Sequence, residues 1–194
     1  MKRFVTLVLS ALMILPVFAG KTQKAWTFAL NDDGECVVER SFDTDKDAQA
    51  ALKAFKVALN KVTLESRSTI NEVPGESILY ELKKNTKTRY NPFAGNFNES
   101  MQFKMAVTYA DGKVLVRLYD INLENKYEGY GKNVRNDTFS GKIAEYEEAA
   151  ETAATAKGKE KKEAEEVMEN INDSLNMCEE EMNKIYNAFA KSLK

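Results

Sequence analysis

The sequence contains no histidine, two cysteines, three prolines and one tryptophan in 194 residues. Histidine is the side chain that titrates unaided near neutrality and the commonest metal ligand. Its absence excludes Ser-His-Asp and Cys-His catalysis and every histidine-based zinc, haem or copper site. A surplus of basic charge is missing too: 28 Lys and Arg stand against 30 Asp and Glu. Nucleic-acid binding relies on clustered Lys and Arg to neutralise phosphate, so no nucleic-acid partner is expected. There is no phosphate-cradling glycine loop and no EF-hand-like acidic ladder, so neither a metal nor a cofactor is expected. Carboxylates are plentiful, but none sits in a recognisable acid–base context. The chain therefore reads as a non-enzyme, with carboxylate hydrolysis the weaker alternative.

Long apolar runs are absent except at the start. Met1-Lys2-Arg3 precedes an apolar stretch from Phe4 to Phe18 broken only by Thr6 and Ser10, and Val17-Phe18-Ala19 places small residues three and one before a cut at Gly20. A basic start, a short apolar centre and a small-residue cleavage site are the parts of a secretory signal peptide, here residues 1–19. The stretch is short for a membrane span of about 20 residues. No cysteine follows it, so lipid attachment of the bacterial lipoprotein kind is not available. The expectation is an exported protein, periplasmic or secreted, with no membrane insertion after cleavage. Losing Lys2 and Arg3 leaves 26 basic against 30 acidic residues, a net charge of −4.

From Ala25 onward the patterns are those of an α+β protein. Trp26, Phe28 and Leu30 alternate as on a strand, the turn cluster Asn31-Asp32-Asp33-Gly34 follows, and Cys36 to Phe42 reads as the second arm of a hairpin. Thr44-Asp45-Lys46-Asp47 resembles a capping box, and Ala48, Leu52, Phe55, Ala58, Leu59 and Val62 recur at helical spacing, predicting a helix over 45–61. Residues 64–72 and 76–90 read as strands flanking Val73-Pro74-Gly75. Met101, Phe103, Met105, Val107 and Tyr109 alternate with polar residues up to Asp111-Gly112, a two-residue hairpin turn. That turn predicts the register Tyr109 to Val114, Val107 to Val116 and Met105 to Leu118, with Ala106 to Arg117 and Lys104 to Tyr119 on the opposite face. Residues 124–137 read as irregular.

Thr138 begins a composition rich in Ala, Glu, Lys and Thr. Between Tyr146 and Val167 there is no large apolar residue, which suggests a solvated helix or helical linker. Met168, Ile171, Leu175, Cys178, Met182, Ile185 and Phe189 then form an apolar heptad seam. The seam admits three placements: docked back on the sheet or on the preceding helix, paired with another copy as a self-association helix, or on a membrane surface. The acids Glu179-Glu180-Glu181 disfavour the membrane. Cys36 and Cys178 both fall on apolar faces, in a compartment where thiols oxidise, either as one long-range disulfide or as two buried thiols.

The segment Tyr90-Asn91-Pro92-Phe93-Ala94-Gly95-Asn96-Phe97-Asn98 combines aromatic and amide side chains, the chemistry of sugar or peptide recognition. Tyr90, Phe93, Asn96 and Phe97 are its candidate ligand contacts, although Phe93 and Phe97 could instead tuck beneath the loop. Lys83, Lys84, Lys87 and Arg89 would make this end of the sheet basic.

Taken in order, Asp33-Gly34-Glu35-Cys36-Val37-Val38, the helix Asp45 to Lys61, and the strands through Ser77-Ile78-Leu79-Tyr80 and Met101 to Leu123 resemble a Bacteroidetes family of exported proteins of unknown function with a TATA-binding-protein-like fold. The resemblance covers residues 25–137. It implies a curved antiparallel sheet with a helix packed on one face, followed here by a long C-terminal helical segment over 138–194, and it transfers no functional residue. The functional expectation is an exported binding or assembly protein engaging a protein or glycan partner. The alternative is a small-molecule or lipid carrier with a cavity between sheet and helix.

Overall fold

The computed structural model describes residues 26–91, 95–128 and 133–193. The expected signal peptide lies outside them. The element order is β1 (Val38–Asp43), α1 (Ala48–Asn60), β2 (Ser66–Val73), β3 (Ser77–Asn91), β4 (Gly95–Ala110), β5 (Lys113–Glu128), β6 (Asn133–Thr138), α2 (Phe139–Thr155) and α3 (Gly158–Leu193). The strands form one open antiparallel sheet in the order β1-β5-β4-β3-β2, with β6 also on β5 beyond the end of β1.

The β4–β5 hairpin sets the frame. Asp111 and Gly112 both take positive φ, +50° and +73°, as the turn type matching strand twist requires. The register is the one that the turn predicts, with Tyr109 opposite Val114, Val107 opposite Val116 and Met105 opposite Leu118. The register shifts between Gln102 and Lys104, and Asp120 adopts a φ of +53° beside it. A second shift between Asn85 and Lys87 interrupts β3–β4 pairing. Such bulges bend the strands they interrupt, which curves the sheet.

One face carries the core. Ile78, Tyr80 and Leu82 of β3, Met101, Phe103, Met105 and Val107 of β4, and Val114, Val116 and Leu118 of β5 are buried against Leu52, Phe55 and Leu59 of α1 and the seam of α3. The Phe55 and Phe189 rings lie 3.8 Å apart between centroids. Thr44 Oγ1 and Lys46 Nζ both donate to the Leu193 carbonyl, so the end of α3 meets the start of α1. The seam residues Met168, Ile171, Leu175, Met182, Ile185 and Phe189 are all buried within this chain. This is the first of the three placements, and it corrects the reading of the seam as a free interaction helix, because its apolar side chains already have partners.

Four local expectations change. Residues 26–30 are not a strand apart from the single bridge Leu30 to Cys36, and β1 pairs with β5 instead. Trp26 and Phe28 pack on Tyr146 and Phe139 of α2, where their rings bury more area than a two-stranded ribbon would give. Helix α1 starts later than the capping box suggests, since Asp47, not Thr44, accepts from the Ala50 N–H. Residues 122–128 and 133–138 are paired strands despite their Asn, Glu and Lys, because β5 is a continuation of an already registered hairpin. Finally, α2 is docked at its start, where Phe139, Ile143, Tyr146 and Ala149 join the same core as the sheet and α3, while residues 157–163 are exposed, as the solvated-helix alternative has it.

Candidate functional site

The expected ligand segment is largely strand. Tyr90 stands opposite Asn96, and Phe97 faces Arg89 and Tyr127 across the ladder. Phe97 is half-buried and already engaged by neighbours. Phe93, and the side chains of Tyr90 and Asn96, lie outside the described residues. Two of the four basic residues expected upstream are paired: Lys83 Nζ bridges Glu65 at 3.1 Å and Glu124 at 2.7 Å, and Lys84 meets Glu181 of α3 at 3.2 Å.

The rest of the open sheet face is likewise matched in charge. Arg117 pairs with Glu39 at 3.3 Å, Lys104 with Asp120 at 2.8 Å and Lys113 with Asp43 at 3.7 Å. Ser100 Oγ donates to Glu65 Oε2 at 2.7 Å, and Gln102 donates to Glu124 Oε2 at 3.2 Å. Burial pulls the Glu65 carboxyl upward, but the Ser100 and Lys83 hydrogen bonds and the lysine charges outweigh it, so its pKa falls below the usual value. On Asp120 the Lys104 hydrogen bond acts in the same direction. Cross-strand pairs of this kind keep an uncovered sheet face solvated.

Between sheet and helices, Glu99 is 3 % exposed. Its carboxylate accepts from Thr86 Oγ1 at 3.3 Å and from Ser174 Oγ at 2.9 Å, and Thr86 Oγ1 also reaches the Glu99 carbonyl at 3.1 Å. These bonds fasten α3 to β3 and β4. Cys178 lies in the same region, its thiol pushed well above its ordinary pKa by burial first and by the Glu99 charge second. Burial raises Cys36 to about 11. Both thiols are free and buried, which decides the alternatives for Cys36 and Cys178 in favour of two separate thiols. A protonated, enclosed thiol is a poor nucleophile.

Among the described residues, a concave feature with unmatched charge lies on the outer side of the helices. A groove of about 510 Å³ runs between α1 and α3, lined by Val57, Ala58, Lys61, Lys184, Asn187, Ala188, Lys191 and Ser192. The small side chains of Ala58 and Ala188 are among its lining and leave room for the indentation. Val57, 46 % exposed, provides an apolar wall. Lys184 does reach Glu181 at 2.5 Å, but that carboxylate is shared with Lys84. The groove thus holds more cations than nearby anions. The sequence analysis does not single out these lysines; the available signal is Lys184 and Lys191 seven residues apart, on one helical face. Among the described residues no cluster of His, Cys, Asp and Glu could hold a metal, and no helix is long and apolar enough to cross a membrane.

These elements define an α+β protein with an open antiparallel sheet and helices on one face. The chain is similar in fold to a TBP-like protein from Parabacteroides distasonis, at 14 % identity over 86 % of this chain and 99 % of that one, with a TM-score of 0.49. It is also similar to a DUF4468 family protein from Bacteroides ovatus, at 15 % identity over 85 % and 90 % of the two chains, with a TM-score of 0.43. Both organisms are Bacteroidetes and the first neighbour is described as TBP-like, the source and the fold that the sequence resemblance names. No family model and no curated protein matches the chain.

Proposed function

We propose that this is an exported, non-enzymatic binding or assembly protein that engages a protein or glycan partner through the outer surface of α1 and α3. The observation that carries the reading is the imbalance of charge. The expected mature chain is acidic, Lys83, Lys104, Lys113 and Arg117 of its sheet each meet a carboxylate, and yet Lys61, Lys184 and Lys191 converge on one groove with an apolar wall. An acidic ligand would gain attraction there and bury Val57. The non-enzymatic part rests on how the carboxylates are used: Glu65 and Glu124 hold Lys83, and Glu99 holds two hydroxyls. Export rests on the N-terminal pattern and is checked by the N-terminal mass of the protein recovered from outside the cytoplasm, which should begin at Gly20.

The carrier alternative receives less support, because the sheet's apolar face is filled by Phe55, Leu59, Leu175, Ile185 and Phe189, all fully buried. Two acidic probes test the binding reading, a polyglutamate peptide and a sulfated polysaccharide. The wild-type chain should retain at least one at low salt, and the K61E/K184E/K191E variant should retain neither. Equal behaviour of the two proteins would overturn the reading.

A further inference from the structure

The outward face of α2 is acidic, and nothing on the helix balances it. Glu147, Glu148 and Glu151 are exposed between the small residues Ala144 and Ala154, on the side away from the buried Phe139, Ile143, Tyr146 and Ala149. Glu147 and Glu151 stand four residues apart and Glu148 and Glu151 three, the spacings at which like charges meet and weaken a helix. No Lys or Arg lies within four residues of any of them. The cation that α2 does carry, Lys142, is held by Asp137 and Glu145. None of the three carboxylates forms a hydrogen bond or ion pair with another described residue. The start of α3 is built differently, since Lys159 meets Glu163 at 3.2 Å and Lys161 meets Glu165 at 3.9 Å, each one turn on.

The α1–α3 groove is the converse surface. Lys53, Val57 and Lys61 follow at four-residue intervals along α1 and its end, and Lys191 stands on α3. Leu193 meets Thr44 and Lys46, and Phe189 meets Phe55, so the two helices run antiparallel. Lys191 therefore lies toward the start of α1 and Lys61 toward the other end of the groove. Lys53, Lys61 and Lys191 are exposed, and none is paired with a described residue. Lys184 is left out of this count because Glu181 holds it.

We infer that the acidic ridge of α2 in one copy of the chain seats in the α1–α3 groove of a second copy. The inference rests on the proposed use of that groove and names its occupant. Charge selects the occupant: three carboxylates without cations meet three ammonium groups without anions, and no charge already engaged inside the chain is drawn upon. Length agrees as well. Two turns of α3, about 10 Å, separate Lys184 from Lys191, and the ridge from Ala144 to Glu151 also runs two turns. The small side chains of Ala144 and Ala154 let the α2 backbone come close to the channel over Ala58 and Ala188, where Val57 is covered. Each copy carries both surfaces on helices that cover one side of the sheet. Two copies meeting helix layer to helix layer about a two-fold axis therefore make the contact twice. Few apolar side chains take part, so the pair is weak and salt-sensitive.

Sedimentation equilibrium of the chain from Gly20 at 50 and 500 mM NaCl tests the pairing, with wild type, the ridge variant E147K/E148K/E151K and the groove variant K53E/K61E/K191E. The wild type should dimerise at 50 mM and about tenfold or more weakly at 500 mM. Each variant alone should associate about tenfold or more weakly, because its ridge and its groove then carry the same sign. Mixed one to one, the two variants should pair with each other, since each ridge now meets a groove of opposite sign. All six substituted residues are exposed, far-UV circular dichroism checks that the variants are folded, and the salt series on the unaltered chain decides even where one is not. A wild-type chain that stays monomeric at 50 mM overturns the pairing, as does a dimer that either reversal leaves intact or a mixture of folded variants that stays monomeric. A monomer that still holds polyglutamate or the sulfated polysaccharide through its lysines refutes only the choice of partner. A monomer that holds neither refutes the underlying reading as well.

Discussion

Replacing Phe189 with alanine tests whether α3 is part of the core. Phe189 is fully buried, its ring 3.8 Å from that of Phe55 between centroids, with Ile185 and Tyr186 buried beside it. Truncating a buried Phe costs about 3–5 kcal/mol through lost transfer energy and the cavity left behind. The site can relax little, because the facing ring is the fully buried Phe55 of α1, which the sheet holds from behind, so a value near the middle, about 4 kcal/mol, is expected. For a chain of this size each kcal/mol moves Tm by about 2–4 °C, giving a fall of about 8–16 °C. Urea unfolding followed by far-UV circular dichroism should show a lower midpoint with an unchanged slope, the sign of lost stability without a changed unfolded state. Lys191→Ala, two residues on and on the exposed side of the helix, should stay within about 0.5 kcal/mol. A loss below about 1 kcal/mol for Phe189→Ala would refute the packing of α3 on α1 and the sheet.

Three further outcomes follow from particular contacts. Asp47→Ala removes the acceptor for the Ala50 N–H at the start of α1 and should cost about 1 kcal/mol by the same unfolding assay, restored largely by Asn. Cys36 and Cys178 should resist Ellman's reagent at pH 8 in the native chain, since burial raises both thiols, and two thiols per chain should react in denaturant; fast native reaction would contradict their enclosure. The Glu65 and Asp120 carboxyls have depressed pKa values when folded, so they contribute stability that is present above their unfolded values and is lost as pH falls through the folded ones. Stability measured from pH 7 downward should therefore decline below about pH 4.5, less steeply in Glu65→Gln; an unchanged slope in that variant would rule out its share.

The parts of the fold that were legible in the sequence are those where two local signals agree. Asp111-Gly112 and the alternation around it specify both turn and register, and the helical spacing from Ala48 to Leu59 specifies the face that meets the sheet. The parts that were not legible depend on tertiary pairing. Glu124 to Glu128 carry residues that strands disfavour, and they are strand because Met101 to Leu123 is already in register below them. Trp26 and Phe28 alternate as a strand would, yet the rings of Phe139 and Tyr146, more than a hundred residues away, decide their place. The groove was illegible for a different reason. Lys61 and Lys191 are ordinary helix-surface residues until α1 and α3 lie side by side, and only then does the surplus of cations take shape.

Helix α3 combines tasks that are separable by face. Its inner pole completes the core. Its flanks are tied down by Ser174 to Glu99, Lys84 to Glu181, Arg40 Nη2 to Asn183 at 2.5 Å, and the Tyr186 hydroxyl to the Val38 carbonyl at 3.3 Å. Thr27 reaches Glu179 through both its backbone N–H and its hydroxyl, so even the chain entering the domain is held by this helix. Deleting residues 158–194 would therefore expose Phe55, Leu59, Phe103 and the rest of the sheet's apolar face, and the shortened chain would aggregate or unfold whatever its function. Any loss of binding or of assembly in that deletion would report on the core alone. The outer pole, where Lys61 and Lys191 are exposed and Lys184 reaches the core only through Glu181, is where substitutions separate function from folding.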